Sequence, residues 1–175
     1  MSNEPEVLWR GRFLRIMKSG RWEYADRVGS TGAVVIAGLT VEGKLVLIEQ
    51  FRIPVNQRVI ELPAGIAGDI PGQEGEELAT AARRELLEET GYEAAEMALL
   101  FAGPPSAGLA SEVVTFFKAT GLKKVAKGGG EGYEDITVHE IPLGETDAWL
   151  RRKSAEGLLV DPKVYTGLYF VTRDL

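Results

Sequence analysis

Residues 76–92 have the sequence EELATAARRELLEETGY, the most informative stretch of the chain. The pattern predicts a helix from the first of these residues to Thr90, ended by the glycine that follows in the C′ position. At about 100° per residue, Glu85, Glu88 and Glu89 project from one face of this helix. The stretch therefore predicts three carboxylates close together near a helix C-terminus.

Such a cluster is costly without a partner. The carboxylates repel one another, and the helix dipole disfavours anions at the C-terminus. Bound Mg²⁺ or Mn²⁺ would offset both effects, because hard cations take carboxylate oxygens as ligands. Arg84 lies four residues before Glu88, and we expect the two to form an ion pair. The alternative is a solvated acidic helix with i,i+4 ion pairs, and the spacing alone does not distinguish the two.

The composition narrows the chemistry further. The chain has 175 residues, no cysteine and one histidine, His139, which excludes disulfides, thiolate nucleophiles and zinc sites built from Cys or His clusters. Acid–base and metal chemistry must therefore rest mainly on carboxylates. The net charge of −6 leaves no basic surface for nucleic acid, and an acidic protein that handles phosphates needs a divalent cation.

The chain carries no sign of a membrane or export segment. Its N-terminal sequence, MSNEPEVLWRGRF, has no apolar signal core, and no uninterrupted apolar run approaches membrane length. We therefore expect a cytoplasmic protein with neither a membrane nor a nucleic acid as partner.

Short strands are predicted on both sides of the helix, without the regular alternation of a doubly wound sheet. Leu78, Ala82 and Leu86 form an apolar stripe that can pack on such a sheet. The order predicts an α+β fold or an α/β/α sandwich. The predicted strands lie within residues 7–28, 32–39, 45–51, 58–62, 98–101, 113–118 and 136–141; helices cover 76–90 and 145–153; 162–169 forms a helix or turn; 65–75 is a loop, and 123–132 looks most flexible.

The region around the helix resembles the Nudix hydrolase family. Residues 84–92, RELLEETGY, match the second half of the Nudix box, G-x5-E-x7-R-E-U-x-E-E-x-G-U, in which U is bulky and apolar. Glu76 stands eight positions before Arg84, as the box requires. The box glycine would fall at Ile70, so Gly65 indicates a five-residue insertion in the loop. The resemblance implies an α/β/α sandwich with a mixed central sheet, and Mg²⁺-dependent cleavage of a diphosphate bond.

The resemblance also assigns roles to positions in the box. Glu76 lies about 180° from Glu85 on an ideal helix, so Glu76 and Glu77 are expected to orient Arg84 rather than to bind the same metal. The implied cofactor is Mg²⁺, with Mn²⁺ as a substitute. Its implied ligands are the carboxylates of Glu85, Glu88 and Glu89 and the backbone carbonyl of Ala64.

Further motifs resemble the branch of the family that cleaves ADP-ribose and other nucleoside diphosphate sugars. They are WEYADR at residues 22–27, QFR at 50–52 and ELPAG at 61–65. In that branch the tryptophan stacks on the base, the next glutamate bonds to the base edge, and the arginines contact phosphate or ribose. The corresponding residues here are Trp22, Glu23, Arg27 and Arg52, and Glu112 is expected near the site. The alternative for Trp22 is a core position in an N-terminal sheet.

The branch also implies an assembly and a range of substrates. Its members often form dimers in which N-terminal strands reach the partner's active site, so we expect a homodimer. Residues 1–30 are then a β extension for dimerisation and base binding, and residues 31–175 form the Nudix domain. The branch's Ser-Pro-Gly element is altered to PPSAG at residues 104–108, which leaves ADP-glucose and GDP-mannose open beside ADP-ribose.

The catalytic base is predicted on the acidic loop at residues 128–135, GGGEGYED. Glycines flank Glu131, which suits a residue that moves in when substrate binds. Glu134 and Glu88 are the alternatives for accepting the proton of the attacking water. Two other functions stay open: a nucleotide-sanitising or dinucleoside polyphosphate hydrolase, and a non-catalytic domain that binds ADP-ribose. The intact box glutamates favour an enzyme.

Overall fold

The computed structural model of the protein describes residues 4–130, 132 and 134–173. Within this part of the chain, a small antiparallel sheet precedes a large mixed sheet with helices on its faces. The small sheet consists of β1 (Glu6–Arg10), β2 (Leu14–Ser19) and β3 (Trp22–Arg27), in that order. It confirms the antiparallel N-terminal extension that the sequence predicts.

The large sheet contains nine strands among the described residues. They are β4 (Gly32–Thr40), β5 (Lys44–Arg52), β6 (Gln57–Glu61), β7 (Ala64–Ala67), β8 (Tyr92–Glu93), β9 (Glu96–Gly103), β10 (Val114–Lys124), β11 (Thr137–Pro142) and β12 (Leu159–Val160). The main path runs β12-β6-β5-β4-β10-β8, while β11 pairs with β5, β7 with β4 and β9 with β10. The pairs β4–β10 and β6–β12 are parallel and the others antiparallel, so the sheet is mixed, as predicted.

Helices pack on both faces of this sheet. They are α1 (Leu78–Thr90), α2 (Thr146–Ala155) and α3 (Pro162–Val171). Side chains alternate along β4, so Val34 and Ile36 pack in one buried cluster with α1, and Val35 and Ala37 pack in another with α2 and α3. The predicted α/β/α sandwich is confirmed. In the described part of the chain, no helix is long and apolar enough to cross a membrane; the cytoplasmic location stays a prediction.

The start of α1 differs from the prediction by two residues. Glu77 has an extended backbone with φ −68° and ψ 141°, and the helix begins at Leu78. The carboxylate of Glu76 accepts hydrogen bonds from Arg84 Nε at 3.1 Å and from Gly68 N at 3.4 Å. Because these bonds hold Glu76 toward the loop before the helix, the residue lies outside α1, and a helical projection does not describe its position.

Several short strands do not follow from the local sequence pattern. Residues 65–75 are predicted as a loop, but β7 lies at the start of this segment and pairs with β4. The two-residue strands β8 and β12 were not predicted, and β10 continues to Lys124, into the segment that looks most flexible. These segments become strands because they hydrogen-bond to a distant strand, which local periodicity does not report.

Gly91, which ends α1, tolerates no side chain. Its φ is +74°, and a Cβ atom there would lie 2.2 Å from the carbonyl oxygen of Ala126. Gly91→Ala is therefore expected to lower the free energy of unfolding by roughly 3 kcal/mol, from left-handed strain and the backbone clash together. Gly43→Ala is the matched control, since Gly43 has φ +73° and nothing within 4 Å. It should lose only about 1–2 kcal/mol, the strain alone. Urea denaturation measures both variants, and equal losses would contradict the proposed clash.

Candidate active site

A loop of the same chain covers the C-terminal end of α1, where the box glutamates lie. The loop comprises residues 124–130, and it donates hydrogen bonds to carbonyl groups that have no partner within the helix. The bonds run from Lys124 Nζ to Thr90 O (2.7 Å), from Val125 N and Ala126 N to Gly91 O (2.9 and 3.1 Å), from Gly129 N to Glu89 O (2.8 Å) and from Gly130 N to Glu88 O (3.1 Å). These donors offset the negative end of the helix dipole beside the glutamates.

Arg84 joins the acidic groups around the helix. Its Nη1 atom lies 2.8 Å from Glu85 Oε1 and 3.0 Å from Glu88 Oε2, so the predicted ion pair with Glu88 is present. Its Nε donates to Glu76, and its Nη2 donates to the carbonyl oxygen of Ile66 at 3.0 Å. The bond from Arg84 holds the pKa of Glu76 below its ordinary value. The guanidinium therefore fixes the side chains of Glu85 and Glu88 from behind.

Glu89 is a buried carboxylate, and Glu85 is partly buried. Glu89 is 3% exposed, and its Oε2 accepts a hydrogen bond of 2.9 Å from the backbone N–H of Ala64. Burial, with a smaller contribution from the charge of Glu85, raises the pKa of Glu89 to about 9 despite this bond. Burial also raises the pKa of Glu85 to about 7, although Arg84 opposes the shift. Arg84, which pairs with Glu85, therefore offsets only part of the cost of burying these two carboxylates.

The β7 backbone lies against Glu85 only because residue 65 is glycine. A Cβ atom on Gly65 would lie 1.9 Å from Glu85 Cδ. Since β7 pairs with β4 over Ala64–Ala67, the sheet itself places this backbone at the acidic face of α1. Gly65 is thus required for the close approach of strand and carboxylate. This requirement holds even though Gly65 stands five residues before the position of the glycine in the Nudix box.

Glu85 and Glu89 open onto a cavity of about 400 Å³. Ala64, Gly65 and Pro105 contribute to its lining. Its charged lining residues come from distant parts of the chain: Arg27, Arg52, Glu61, Asp69, Glu85, Glu89, Glu112, Glu134 and Lys163. The structure thus brings together most of the residues that the sequence singles out for metal and substrate binding.

The two predicted arginines are each held by a carboxylate. Arg27 Nε lies 2.6 Å from Glu112 Oε1, and Arg52 Nε lies 2.7 Å from Glu61 Oε2. A guanidinium has five N–H donors, so one such bond orients the group without using all of them. Both arginines can therefore bind an anion in the cavity while their carboxylate partners hold them in place.

Backbone bonds attach the small sheet to the cavity. Ala25 N donates to Leu109 O at 2.8 Å, and Ser111 N donates to Ala25 O at 3.0 Å. This pairing fixes β3 beside the loop that precedes β10, and the side chain of Arg27 reaches the cavity of its own chain. Within the single chain, the N-terminal extension therefore already contributes a cation to the site.

Other predicted residues lie away from this cavity. Trp22 is 55% exposed, so its alternative as a core residue is wrong; it lines a separate cavity with Tyr24 and Ser111. Glu23 is exposed on β3, opposite Lys18 of β2. Arg84 and Glu88 pair with each other and are not among the cavity's lining residues. The proposed base Glu131 falls outside the described residues, and the exposed Glu77 is the N-cap residue of α1.

Three charged residues of the cavity were missed by the sequence analysis. Glu61 lies inside the ELPAG motif, and a buried acid at the end of a strand was the available signal. Asp69 lies 3.6 Å from Arg84 Nη2. It belongs to the loop at residues 65–75, where the Nudix box specifies no residue type at this position. Lys163 has no signal in the sequence, because only the packing of α3 on the large sheet brings it to the cavity.

Comparison with known proteins decides the family. The model of the NUDIX domain matches residues 29–155 of this chain, which include β4 through α2 and all the box glutamates. The chain belongs to the Nudix hydrolase family. The match extends well beyond the box, and it begins after the small sheet.

Curated Nudix relatives span several activities. The methanol dehydrogenase activator of Bacillus methanolicus is 31% identical over 86% of this chain and 82% of its own length. The ADP-ribose pyrophosphatase of Bacillus subtilis is 37% identical over 61% of this chain and 55% of its length. The GDP-mannose pyrophosphatase of Citrobacter koseri is 32% identical over 74% and 68%. A solved structure described as an ADP compounds hydrolase has a TM-score of 0.72 over 97% of this chain and 90% of that one, at 21% identity, and so shares the fold.

Nudix hydrolases generally use divalent metal ions, and the donor set here suits one. Glu85 and Glu89 offer carboxylate oxygens, the ligand type of hard cations, and burial raises the pKa of each. Among the described residues, no three acidic or histidine side chains converge as they stand. The reason is that Arg84 draws Glu85 and Glu88 toward itself and Ala64 N holds Glu89. The donor type fits a divalent cation, because the carboxylates of Glu85 and Glu89 line one cavity together with Ala64.

The raised pKa of Glu89 predicts a stability that depends on pH. The folded chain holds this proton up to about pH 9, whereas the unfolded chain releases it near 4.5. Stability from Glu89 is therefore full below pH 4.5 and is lost as the pH rises through about 9, at no more than about 1.4 kcal/mol per pH unit. In EDTA, the urea midpoint of the wild-type chain should fall from pH 6 to pH 9, and Glu89→Gln should flatten this fall. Glu93→Gln, at an exposed carboxylate, should keep it; an unflattened slope in Glu89→Gln would contradict the burial argument.

Proposed function

We propose that this Nudix hydrolase cleaves the diphosphate bond of ADP-ribose or a related nucleoside diphosphate sugar, giving a nucleoside monophosphate and a sugar phosphate. One observation carries the proposal. A single cavity is lined by the carboxylate residues Glu85 and Glu89 and by the arginines Arg27 and Arg52. Carboxylates bind divalent cations, and guanidinium groups bind phosphate oxygens. The cavity therefore has ligands for both the metal and the phosphates of a metal-bound diphosphate.

The cofactor in this proposal is Mg²⁺, with Mn²⁺ as a substitute. Its ligands would be the carboxylates of Glu85, Glu88 and Glu89, with the Ala64 carbonyl as a further oxygen. When bound, the metal supplies positive charge that polarises the diphosphate and acidifies the attacking water. Arg84 serves this step indirectly, since its bonds to Glu85 and Glu88 orient two of the proposed ligands.

Arg27 and Arg52 are the proposed diphosphate contacts. Arg27 comes from β3 and Arg52 from the end of β5, so the two reach the cavity from different sheets. Glu112 and Glu61 hold them, and each carboxylate limits the freedom its arginine would otherwise lose on binding. Glu112 therefore contributes to substrate binding through Arg27.

Glu134 is the proposed general base. It lines the same cavity as Glu85 and Glu89, and its charge contributes to the raised pKa of Glu89. It also lines an adjoining cavity formed by the glycine-rich loop at Gly128–Gly130. That loop is bonded to the carbonyl groups of Glu88 and Glu89, so the base and the metal ligands share one support. Glu131 and Glu88 stay as alternatives.

The N-terminal extension, residues 1–30, is the proposed element for base binding and dimerisation. Trp22 presents an exposed indole, which suits stacking on a nucleobase, with Glu23 beside it for the base edge. The small sheet also exposes Val7, Leu8 and Trp9 on the strand at its edge, and an apolar edge strand favours pairing with a second chain. A homodimer would cover these residues, and light scattering of the purified chain tests that assembly.

A substrate panel tests the function. The protein with Mg²⁺ is incubated with ADP-ribose, ADP-glucose, GDP-mannose, NADH, diadenosine polyphosphates and dNTPs, and monophosphate products are measured. Turnover should be highest on a nucleoside diphosphate sugar, and Glu85→Gln should lower kcat roughly 100-fold because it removes a proposed metal ligand. Glu93→Gln is the control at an exposed carboxylate of the adjacent strand. Preference for dNTPs or dinucleoside polyphosphates would favour the other hydrolase class. Tight binding of ADP-ribose without turnover of any substrate would refute the proposal that the protein is a hydrolase.

The base assignment has its own comparison. Glu134→Gln should lower kcat by roughly 100-fold or more with little change in KM, because a general base contributes about 10²–10⁴-fold. Asp135→Asn is the neighbouring control, since Asp135 pairs with Arg58 instead of lining the metal cavity. A loss of kcat in Glu131→Gln and none in Glu134→Gln would transfer the role to Glu131. Normal rates in both variants would refute the loop as the source of the base.

A further inference from the structure

A second cavity adjoins the proposed active site. It measures about 430 Å³ and shares Pro105, Val114 and Lys163 with the metal cavity. It lies between β9, β10 and the start of α3, and its apolar walls include Phe101 and Phe116. Pockets with mainly apolar walls and a few fixed polar groups are the usual form of small-molecule sites.

Other cavities connect the metal cavity with the region around Trp22. One of them shares Arg27 and Glu112 with the metal cavity and Ser111 with the cavity of Trp22. The metal cavity therefore adjoins two arms through different residues, one arm toward the exposed indole and one toward Phe101. A nucleoside diphosphate sugar has the matching layout, since its diphosphate carries a nucleoside at one end and a sugar at the other.

Lys163 stands where the metal cavity meets the Phe101 arm. Asp161, the N-cap residue of α3, accepts a hydrogen bond of 2.7 Å from Lys163 N and pairs with Lys163 Nζ. The lysine side chain is 29% exposed, and the aspartate holds it at the junction of both cavities. An ammonium group in this place is a point charge suited to a phosphate oxygen.

The walls of the Phe101 arm suit a sugar better than a base. Phe101 stacks on Phe116 and on Phe170, each with ring centroids 4.7 Å apart, so both of its faces are covered. A nucleobase stacks on an exposed aromatic face, and the exposed indole of Trp22 has such a face at the other arm. A sugar presents apolar C–H groups and a rim of hydroxyls, which match the ring edges and prolines of this arm together with Asp161 and Thr166.

We infer that the Phe101 arm binds the sugar of the substrate, and that Lys163 pairs with the phosphate that carries this sugar. The inference rests on the proposed function and extends it. It makes Lys163 a substrate-binding residue, and it makes the start of α3 the element that selects among sugars.

Two variants test the two parts, starting from the wild-type protein with Mg²⁺. Thr166→Trp places an indole in the arm from a half-buried position of α3, and Thr172→Trp, at the exposed C-cap residue of the same helix, is its control. Selectivity is measured as ratios of kcat/KM, between ADP-ribose and ADP-glucose for the sugar and between ADP-glucose and GDP-glucose for the base. Thr166→Trp should change the sugar ratio by about 10-fold and leave the base ratio within about twofold. Thr172→Trp should change neither ratio.

Lys163→Met removes the charge and keeps the apolar stem. It should raise KM for sugar nucleotides about 10-fold with a smaller change in kcat, and Lys163→Arg should restore most of the loss. Lys153→Met is the control, because Lys153 has a comparable ion pair with Glu156 at 2.8 Å and lies on α2. Unchanged KM in Lys163→Met would refute the phosphate contact.

The remaining outcomes separate this inference from the function on which it rests. No turnover of any sugar nucleotide by the wild-type protein would refute the proposed function and the inference together. Wild-type turnover with an unchanged sugar ratio in Thr166→Trp would refute the sugar arm alone. A changed base ratio in Thr166→Trp would also refute it, since the base would then occupy the Phe101 arm.

Discussion

The negative charge gathered at the C-terminal end of α1 is the constraint on which the site depends. Glu85, Glu88 and Glu89 stand at the end of the helix that least favours anions. Arg84 offsets part of this charge from behind, and the amide groups of the loop at residues 124–130 cover the helix carbonyls. The buried Glu89 and the partly buried Glu85 face the cavity, where a divalent cation would offset the negative charge that remains.

The same interactions join elements that are far apart in the chain. The β7 backbone approaches Glu85 at Gly65 and donates from Ala64 N to Glu89, while the loop after β10 bonds to the carbonyl groups of Glu88 and Glu89. Glu134 follows that loop and lines the metal cavity. The proposed ligands Glu88 and Glu89 are thus bonded to the loop that precedes the proposed base in the sequence.

Cations are distributed around this acidic centre in a way that suits a two-ended substrate. Arg27 comes from the small sheet, Arg52 from β5 and Lys163 from α3, and each is paired with a carboxylate. Acidic side chains therefore do two kinds of work here. Glu85 and Glu89 face the cavity as proposed metal ligands. The carboxylates paired with the three cations hold those basic groups where the phosphates of the substrate would lie. An overall net charge of −6 is compatible with anion binding for this reason.

The sequence by itself determined the family resemblance and the approximate positions of the main strands. It also determined the helix with its acidic face and the Arg84–Glu88 pair, because these depend on spacing along one element. It placed the start of α1 two residues early and predicted a loop where β7 forms, since the bonds of Glu76 and the pairing with β4 join distant segments. Only the tertiary structure decided which residues share the cavity. It separated Trp22 from the metal site and brought in Glu61, Asp69 and Lys163, because packing on the sheet, and not sequence separation, sets those distances.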